Sequence, residues 1–236
     1  MSRLPQLDVP TVVEEVAFPA GSYRLQGELA YAEDAPVGGV AVLAGPHPLL
    51  GGNLHNNVVR GLGDGLAARQ LASLRFNYRG VGRSEGPQVD VARHLAQFWQ
   101  TSHVPDEMDL WQDVQGAVDF MRATPDPALP VALIGYSFGC ALLPHVRLPG
   151  ARSAFILIAP TLGKHDYDSY RSVDAPALVI ASEDDFAVDA GEVQRWFSRL
   201  AMPKRLLRQR LDNHFFRGHE SWLVETVVGF LRSQWR

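Results

Sequence analysis

An α/β fold with a mostly parallel sheet, covered by helices on both faces, is predicted by three features of the sequence. Five short apolar runs, Val40 to Ala44, Ala72 to Phe76, Val131 to Ile134, Ala154 to Ala159 and Ala177 to Ala181, lack polar alternation, as strands do when both faces are buried. Helical periodicity lies between them: Val58, Val59, Leu62 and Leu66 share one face, as do Trp111, Val114, Val118 and Met121. Strands alternating with helices imply parallel pairing through crossover connections. The third feature is one apolar run that enters Gly135-Tyr136-Ser137-Phe138-Gly139 and leaves it as a helix with Ala141, Leu142 and Leu143.

The remaining elements follow in order. Val12 to Phe18 and Tyr23 to Tyr31 alternate loosely around Pro19-Ala20-Gly21-Ser22, which predicts an opening antiparallel hairpin with one partly exposed face. The turn Asp34-Ala35-Pro36 ends it. Val193, Trp196, Phe197 and Leu200 predict a later helix, Leu223, Val227, Phe230 and Leu231 the last one, and Lys204 to Arg210 a polar strand near an edge. At 236 residues, 46% hydrophobic and 20% charged, with no repeat or linker, the chain is expected to form a single domain over residues 1–236.

Composition also bounds the partners. A net charge of −4 without blocks of like charge offers no electrostatic footprint for nucleic acid or an anionic membrane. The start MSRLPQLDVPTVVEE has no apolar signal-peptide region, and the longest apolar run is too short for membrane insertion. A single cysteine, Cys140, excludes an internal disulfide and suits a reducing compartment. The expectation is a cytoplasmic monomer or homodimer.

Gly135 to Gly139 matches GxSxG, a pattern too short to be specific by itself. Its strand-to-helix context is specific: it is that of a nucleophile elbow, where a strained backbone lifts the serine Oγ above the sheet edge and side chains at the glycine positions would collide with neighbouring elements. A serine that merely caps a helix would not need paired glycines. Ser137 is therefore the candidate nucleophile, with Tyr136 beside it as a candidate substrate contact.

A serine hydroxyl needs a base and an orienting acid, which this arrangement supplies in the chain order serine, acid, histidine. The run Ala177 to Ala181 ends on an acidic turn of Glu183, Asp184 and Asp185, any of which would sit on the rim that carries Ser137. After the last strand, "LDNHFFRGH" offers His214 and His219; His214 lies in the loop itself and is the candidate base, whereas His219 begins the final helix.

Acyl transfer also requires donors aimed at the developing oxyanion. One is the N–H of Phe138. The other is expected from Gly45-Pro46-His47-Pro48-Leu49-Leu50-Gly51-Gly52, where Pro46 and Pro48 have no N–H; Leu49 is the candidate and His47 the alternate, with the His47 ring a further candidate substrate contact.

Together "AGPHPLLGGNLHNNVV", "LRFNYRGVGRSEG", "GYSFG", "ASEDD" and "NHFF" resemble the α/β-hydrolase superfamily, in particular small bacterial dienelactone-hydrolase-like or CocE-like hydrolases, over nearly the whole chain and in the family's order. The resemblance implies a Ser-His-Asp hydrolase, an eight-stranded sheet whose second strand is antiparallel, and neither metal nor organic cofactor. The family's turn reads Gly-x-x-Asp; with Ser182 in the glycine position, Asp185 becomes the acid and Asp184 the runner-up. A small-molecule carboxylic ester, thioester or lactone is the expected substrate. The alternatives are a peptidase or amidase using the same residues and a non-catalytic receptor or scaffold on this fold.

Three further features complete the reading. Gly86 to Asp106 carries Val91, Leu95, Phe98 and Trp99 on one helical face, which suggests a small helical lid over residues 87–106 with Phe98 and Trp99 contacting substrate, or else simple packing on a neighbour. In "NYRGVGRS", which fits neither a P-loop nor GxGxxG, Arg79 and Arg83 could meet an anionic substrate or remain at the surface. The scattered histidines form no sequence pattern of metal ligands.

Overall fold

The computed structural model describes residues 9–101, 104–123, 126, 128–148, 152–210 and 214–235. Eight strands form one sheet: β1 (Thr11–Ala20), β2 (Tyr23–Ala32), β3 (Gly39–Ala44), β4 (Leu71–Phe76), β5 (Val131–Tyr136), β6 (Ser153–Ile158), β7 (Ala177–Ser182) and β8 (Lys204–Gln209). Their spatial order is β1-β2-β4-β3-β5-β6-β7-β8. β2 pairs antiparallel with both β1 and β4, and every pair from β4 onward is parallel. The polar strand β8 lies at an edge, as its composition requires.

Among the described residues six α-helices connect and cover the strands: α1 (Asn57–Ala67), α2 (Val91–Thr101), α3 (Trp111–Arg122), α4 (Gly139–Leu142), α5 (Ala190–Ser198) and α6 (Glu220–Gln234). Strand alternation divides the core in two. Val40, Val42 and Leu133 face the layer with Val114 and Val118 of α3 and Trp196 of α5. Ala41, Leu43, Ile134 and Ile156 face α1 and α6 through Leu62, Leu66, Leu223 and Val227. Burial on both faces explains why the central strands are almost wholly apolar. No helix among the described residues is long and apolar enough to cross a membrane.

The elbow helix is shorter than its sequence suggests. α4 makes a single turn and passes into a 3-10 turn, Leu143–His145, because Pro144 has no N–H to continue the helix.

The sheet order reverses between β3 and β5. β3 is followed by a helix on one face that leads to β4 on one side, while β5 is followed by a helix on the other face that leads to β6 on the opposite side. The loops at the carboxyl ends of these two strands diverge and open a crevice, the place where open α/β sheets bind ligands. Ser137 stands at the end of β5, and the Gly45–Gly52 loop at the end of β3.

Candidate active site

Ser137 adopts φ of 54°, a left-handed backbone conformation uncommon for a residue with a Cβ. The flanking glycines are demanded by space. A Cβ on Gly135 would come within 2.7 Å of the Cys140 backbone, and one on Gly139 within 2.1 Å of the Ala44 carbonyl oxygen. The turn therefore packs directly against its own helix and against β3. Ser137 N–H donates to the Ile158 carbonyl at 2.8 Å, which ties the strained residue to β6.

Ser137 Oγ lies 2.9 Å from His214 Nε2, and His214 Nδ1 lies 2.8 Å from Asp185 Oδ2 and 3.0 Å from Oδ1. The Asp185 side chain is wholly buried and also accepts the Ala187 N–H at 2.7 Å. Asp184 instead pairs with Arg210 at 3.2 Å, and Glu183 with Arg208 at 3.2 Å, both part-exposed. Three adjacent acids thus divide into one that holds the histidine and two that face solvent and β8.

The loop of His214 is anchored from below. Phe216 is fully buried, and the Tyr136 hydroxyl donates to the His214 carbonyl at 3.1 Å. Tyr136 is itself buried, its ring stacked on the imidazole at 5.7 Å. It supports the histidine from within the fold; a substrate-contacting role does not suit a ring and hydroxyl so placed. His219 lies at the start of α6, away from the hydrogen-bonded series.

Among the described residues, the backbone N–H groups of Phe138, Leu49 and His47 donate to no protein acceptor, whereas those of Leu50, Gly51 and Gly52 are spent within the loop on His47 and Pro48. The free groups lie where the elbow meets the β3 loop. The His47 ring stacks on the Phe138 ring with centroids 4.2 Å apart.

His47 belongs to a buried cluster that the sequence did not disclose. Its Nε2 lies 2.8 Å from Glu107 Oε2, and His165 Nε2 lies 3.5 Å from Glu107 Oε1. Phe138 sits against both imidazoles, edge-on to His165 at 5.2 Å. Thr161 Oγ1 lies 2.8 Å from His165 Nδ1 and 3.2 Å from the Tyr167 hydroxyl, which fixes the second ring. Burial raises the Glu107 carboxyl, but hydrogen bonds from His165 and His47 outweigh it and hold the group at about 2. Burial lowers His47 more than Glu107 raises it. The pair is thus an ionised carboxylate accepting from a neutral imidazole N–H.

The donor atoms of His47, Glu107 and His165 all lie within 4.8 Å of one another, so their types and spacing could accept a metal ion. The tautomer argues for hydrogen bonding instead. His47 Nδ1 is buried without a partner; with the proton on Nε2 it is a bare lone pair, whereas a cation at Nε2 would force a buried, unsatisfied N–H onto Nδ1.

The other candidates separate cleanly. Arg79 donates through Nε to Asp113 Oδ1 and through its backbone N–H to Oδ2, each at 2.7 Å, and Asp113 is fully buried. Arg83 pairs with Glu15 on β1. Both arginines fasten the Asn77–Ser84 turn to the fold, so neither awaits an anionic substrate. Cys140 is buried with its Sγ 3.1 Å from the Gly135 carbonyl, and burial pushes its thiol far up, so it is not a thiolate. Helix α2 has no fully buried residue and packs on the 3-10 turn Pro48–Leu50; Phe98 receives Lys164 over its ring at 5.8 Å, while Trp99 is 80% exposed. Residues 102–103 of the suggested 87–106 lid lie outside the described residues.

A family model described as serine aminopeptidase, S33, matches residues 49–172, more than half of the chain. The match contains the elbow but ends before Asp185 and His214. An uncharacterized protein of Rickettsia prowazekii is 26% identical over 213 residues, covering 86% of this chain and 82% of its own. In overall fold the chain is similar to a serine hydrolase of Xanthomonas campestris described as lacking a lid, with a TM-score of 0.76, 24% identity and 95% of each chain covered. It is also similar to a dienelactone hydrolase of Anabaena variabilis, with a TM-score of 0.72, 17% identity, and 96% of this chain and 99% of that one covered. Fold, elbow and family match converge: the chain belongs to the serine aminopeptidase S33 family of α/β serine hydrolases.

Proposed function

We propose that the chain hydrolyses a carboxylic ester, thioester or lactone through an acyl-enzyme on Ser137. The observation that carries this reading is the continuous series Ser137 Oγ, His214, Asp185, built on a serine with a left-handed backbone. His214 Nε2 removes the hydroxyl proton as Oγ bonds to the substrate carbonyl carbon. The N–H groups of Phe138 and of Leu49 or His47 receive the negative charge on the former carbonyl oxygen. Collapse breaks the bond to the leaving group, which takes the proton from His214. Water then repeats the sequence on the acyl-enzyme, releasing the acid and returning the proton to Ser137. Asp185 accepts from Nδ1–H throughout and keeps the productive tautomer.

Glu107 acts at one remove as a positioning residue. By fixing the rings of His47 and His165 around Phe138, it holds the elbow and the β3 loop in one relative position, and so the spacing of the two oxyanion donors.

The family's name suggests cleavage of an N-terminal residue from a peptide. That activity calls for a carboxylate free to bind the substrate's α-ammonium group. Among the described residues the buried carboxylates near Ser137 are committed, Asp185 to His214 and Glu107 to His47 and His165, which favours the ester class. Initial rates on an ester, thioester and lactone panel, beside aminoacyl p-nitroanilides, test the choice. Turnover of the first panel that disappears in His214→Ala is expected; preferential cleavage of the anilides would overturn it.

Helix α2, lying on the Pro48–Leu50 turn with Phe98 toward Lys164, would form one apolar wall of the crevice. On this account Phe98→Ala changes the ranking of short and long acyl chains in kcat/KM. A uniform loss that follows the melting temperature would assign the helix to packing alone.

A further inference from the structure

Large apolar side chains are costly to leave in water, so the places where a fold does so are informative. Among the described residues four are exposed: Val13, Trp99, Phe186 and Phe215. Two of the four stand at the same imidazole. The ring of Phe186, 71% exposed, lies 5.5 Å from that of His214, and the ring of Phe215, 42% exposed, lies 6.0 Å from it. The two phenyl rings are 5.6 Å apart. Their chain positions explain the convergence, since Phe186 follows Asp185 and Phe215 follows His214. The hydrogen bond that joins acid to base also brings their neighbours together.

Chemistry assigns this platform to one part of the substrate. In acyl transfer the oxygen that receives the proton from His214 Nε2 belongs to the leaving group. The substituent on that oxygen must therefore continue past the imidazole, whereas the acyl chain departs from the carbonyl carbon over Ser137. Arg217 lies over the Phe215 ring at 5.6 Å and occupies one of its faces. Phe186 is the more open ring. Centroid separations of about 4.5–7 Å are those at which aromatic rings attract one another, so a third ring fits naturally against the pair.

Resting on the ester-hydrolase reading, we infer that Phe186, with Phe215 beside it, is a binding site for an aromatic leaving group, and that the substrates are esters of aromatic alcohols. The preference falls on the alcohol side and not on the acyl side.

Two ester pairs test this. Ethyl and benzyl acetate vary the alcohol with a constant acyl group; ethyl acetate and ethyl phenylacetate vary the acyl group with a constant alcohol. The kcat/KM ratio of benzyl to ethyl acetate should favour benzyl in the wild type and fall about three- to tenfold in Phe186→Ala, the range expected for one ring–ring contact. Phe186→Trp should retain it, Phe186→Leu should lose most of it, and Val13→Ala on the remote edge strand should leave it unchanged. Because Phe186 is so exposed, melting temperatures near the wild type are expected for all of them. An unchanged alcohol ratio in both Phe186→Ala and Phe186→Leu, or a loss confined to the acyl ratio, overturns the assignment while leaving the hydrolase reading intact. A wild type that cleaves none of these esters overturns the aromatic-ester assignment, while the hydrolase reading falls only if the thioester and lactone panel is also untouched.

Discussion

Ser137→Ala is expected to lower kcat/KM on any accepted ester by about 10⁶-fold, or roughly 8 kcal/mol of transition-state stabilisation, with the protein still folded. The size of the loss follows from the hydrogen-bonded series. Without Oγ there is no acyl-enzyme, and His214 and Asp185 can no longer act together with a nucleophile. Combining Ser137→Ala with His214→Ala should add little, because groups that act as a unit are strongly non-additive. The backbone offers a second readout. Ser137 is held at φ 54°, so Ser137→Gly should unfold at a higher temperature than Ser137→Ala, by an amount reflecting about 1 kcal/mol of relieved strain. Equal stability would mean that the elbow stores no strain there.

The other large effect is expected at Glu107, which touches no reacting atom. A carboxylate accepts N–H bonds from both imidazoles; a glutamine has one acceptor oxygen and presents an NH₂ group to the other ring. Glu107→Gln should therefore lower kcat about 10- to 100-fold with a much smaller change in KM, somewhat less than the 10²–10³-fold typical for deleting an oxyanion donor outright. A merely structural role would lower the amount of active protein and leave kcat per active site unchanged, as counted by titration with a covalent inhibitor. Stability against pH gives an independent check. The Glu107 carboxyl sits at about 2 in the fold against an ordinary value of 4.5. Its contribution is thus fully present above about 4.5 and is lost as pH falls toward 2. Buried neutral His47, lowered from 6.5, acts in the same direction, since protonation favours the unfolded chain as pH falls below that value. The wild-type melting temperature should decline through this acid range more steeply than that of Glu107→Gln; parallel curves would show that the carboxylate is not held by the imidazoles.

The sheet was legible in the sequence because its causes are local. Doubly buried strands such as Leu133-Ile134 and Ile156 to Ile158 must be apolar along their length, and the packing of α1 and α6 leaves a periodic face. The elbow was legible for a similar reason: Gly135 and Gly139 are fixed by contacts that a Cβ would violate. His214 could be placed by chain order. Asp185 could not be separated from Asp184 by residue type alone, because the difference lies in which carboxylate turns inward; the family's turn spacing indicated Asp185, and the structure places its carboxylate against His214.

What stayed hidden depends on long-range meetings. Glu107 reads in sequence as one acid in a polar stretch, Asp106-Glu107-Met108-Asp109, and only the fold brings it to His47, 60 residues earlier. Phe186 looks like a loop residue until His214 arrives beside it. Tyr136 illustrates the converse. Its place next to the nucleophile suggested contact with substrate, yet residues alternate along a strand, and this one points into the core beneath the histidine. Trp99, in sequence a candidate either for substrate contact or for packing on a neighbour, stands out in solvent, while Phe98 turns toward Lys164.

Labelling with a fluorophosphonate, read by intact mass and peptide mapping on the wild type, Ser137→Ala and His214→Ala, tests the central claim most directly. A single adduct on Ser137, formed rapidly in the wild type, absent in Ser137→Ala and greatly slowed in His214→Ala, is the predicted result. A well-folded wild type that forms no adduct, or one that labels equally fast without His214, would contradict an activated serine and leave the fold as a scaffold for binding alone.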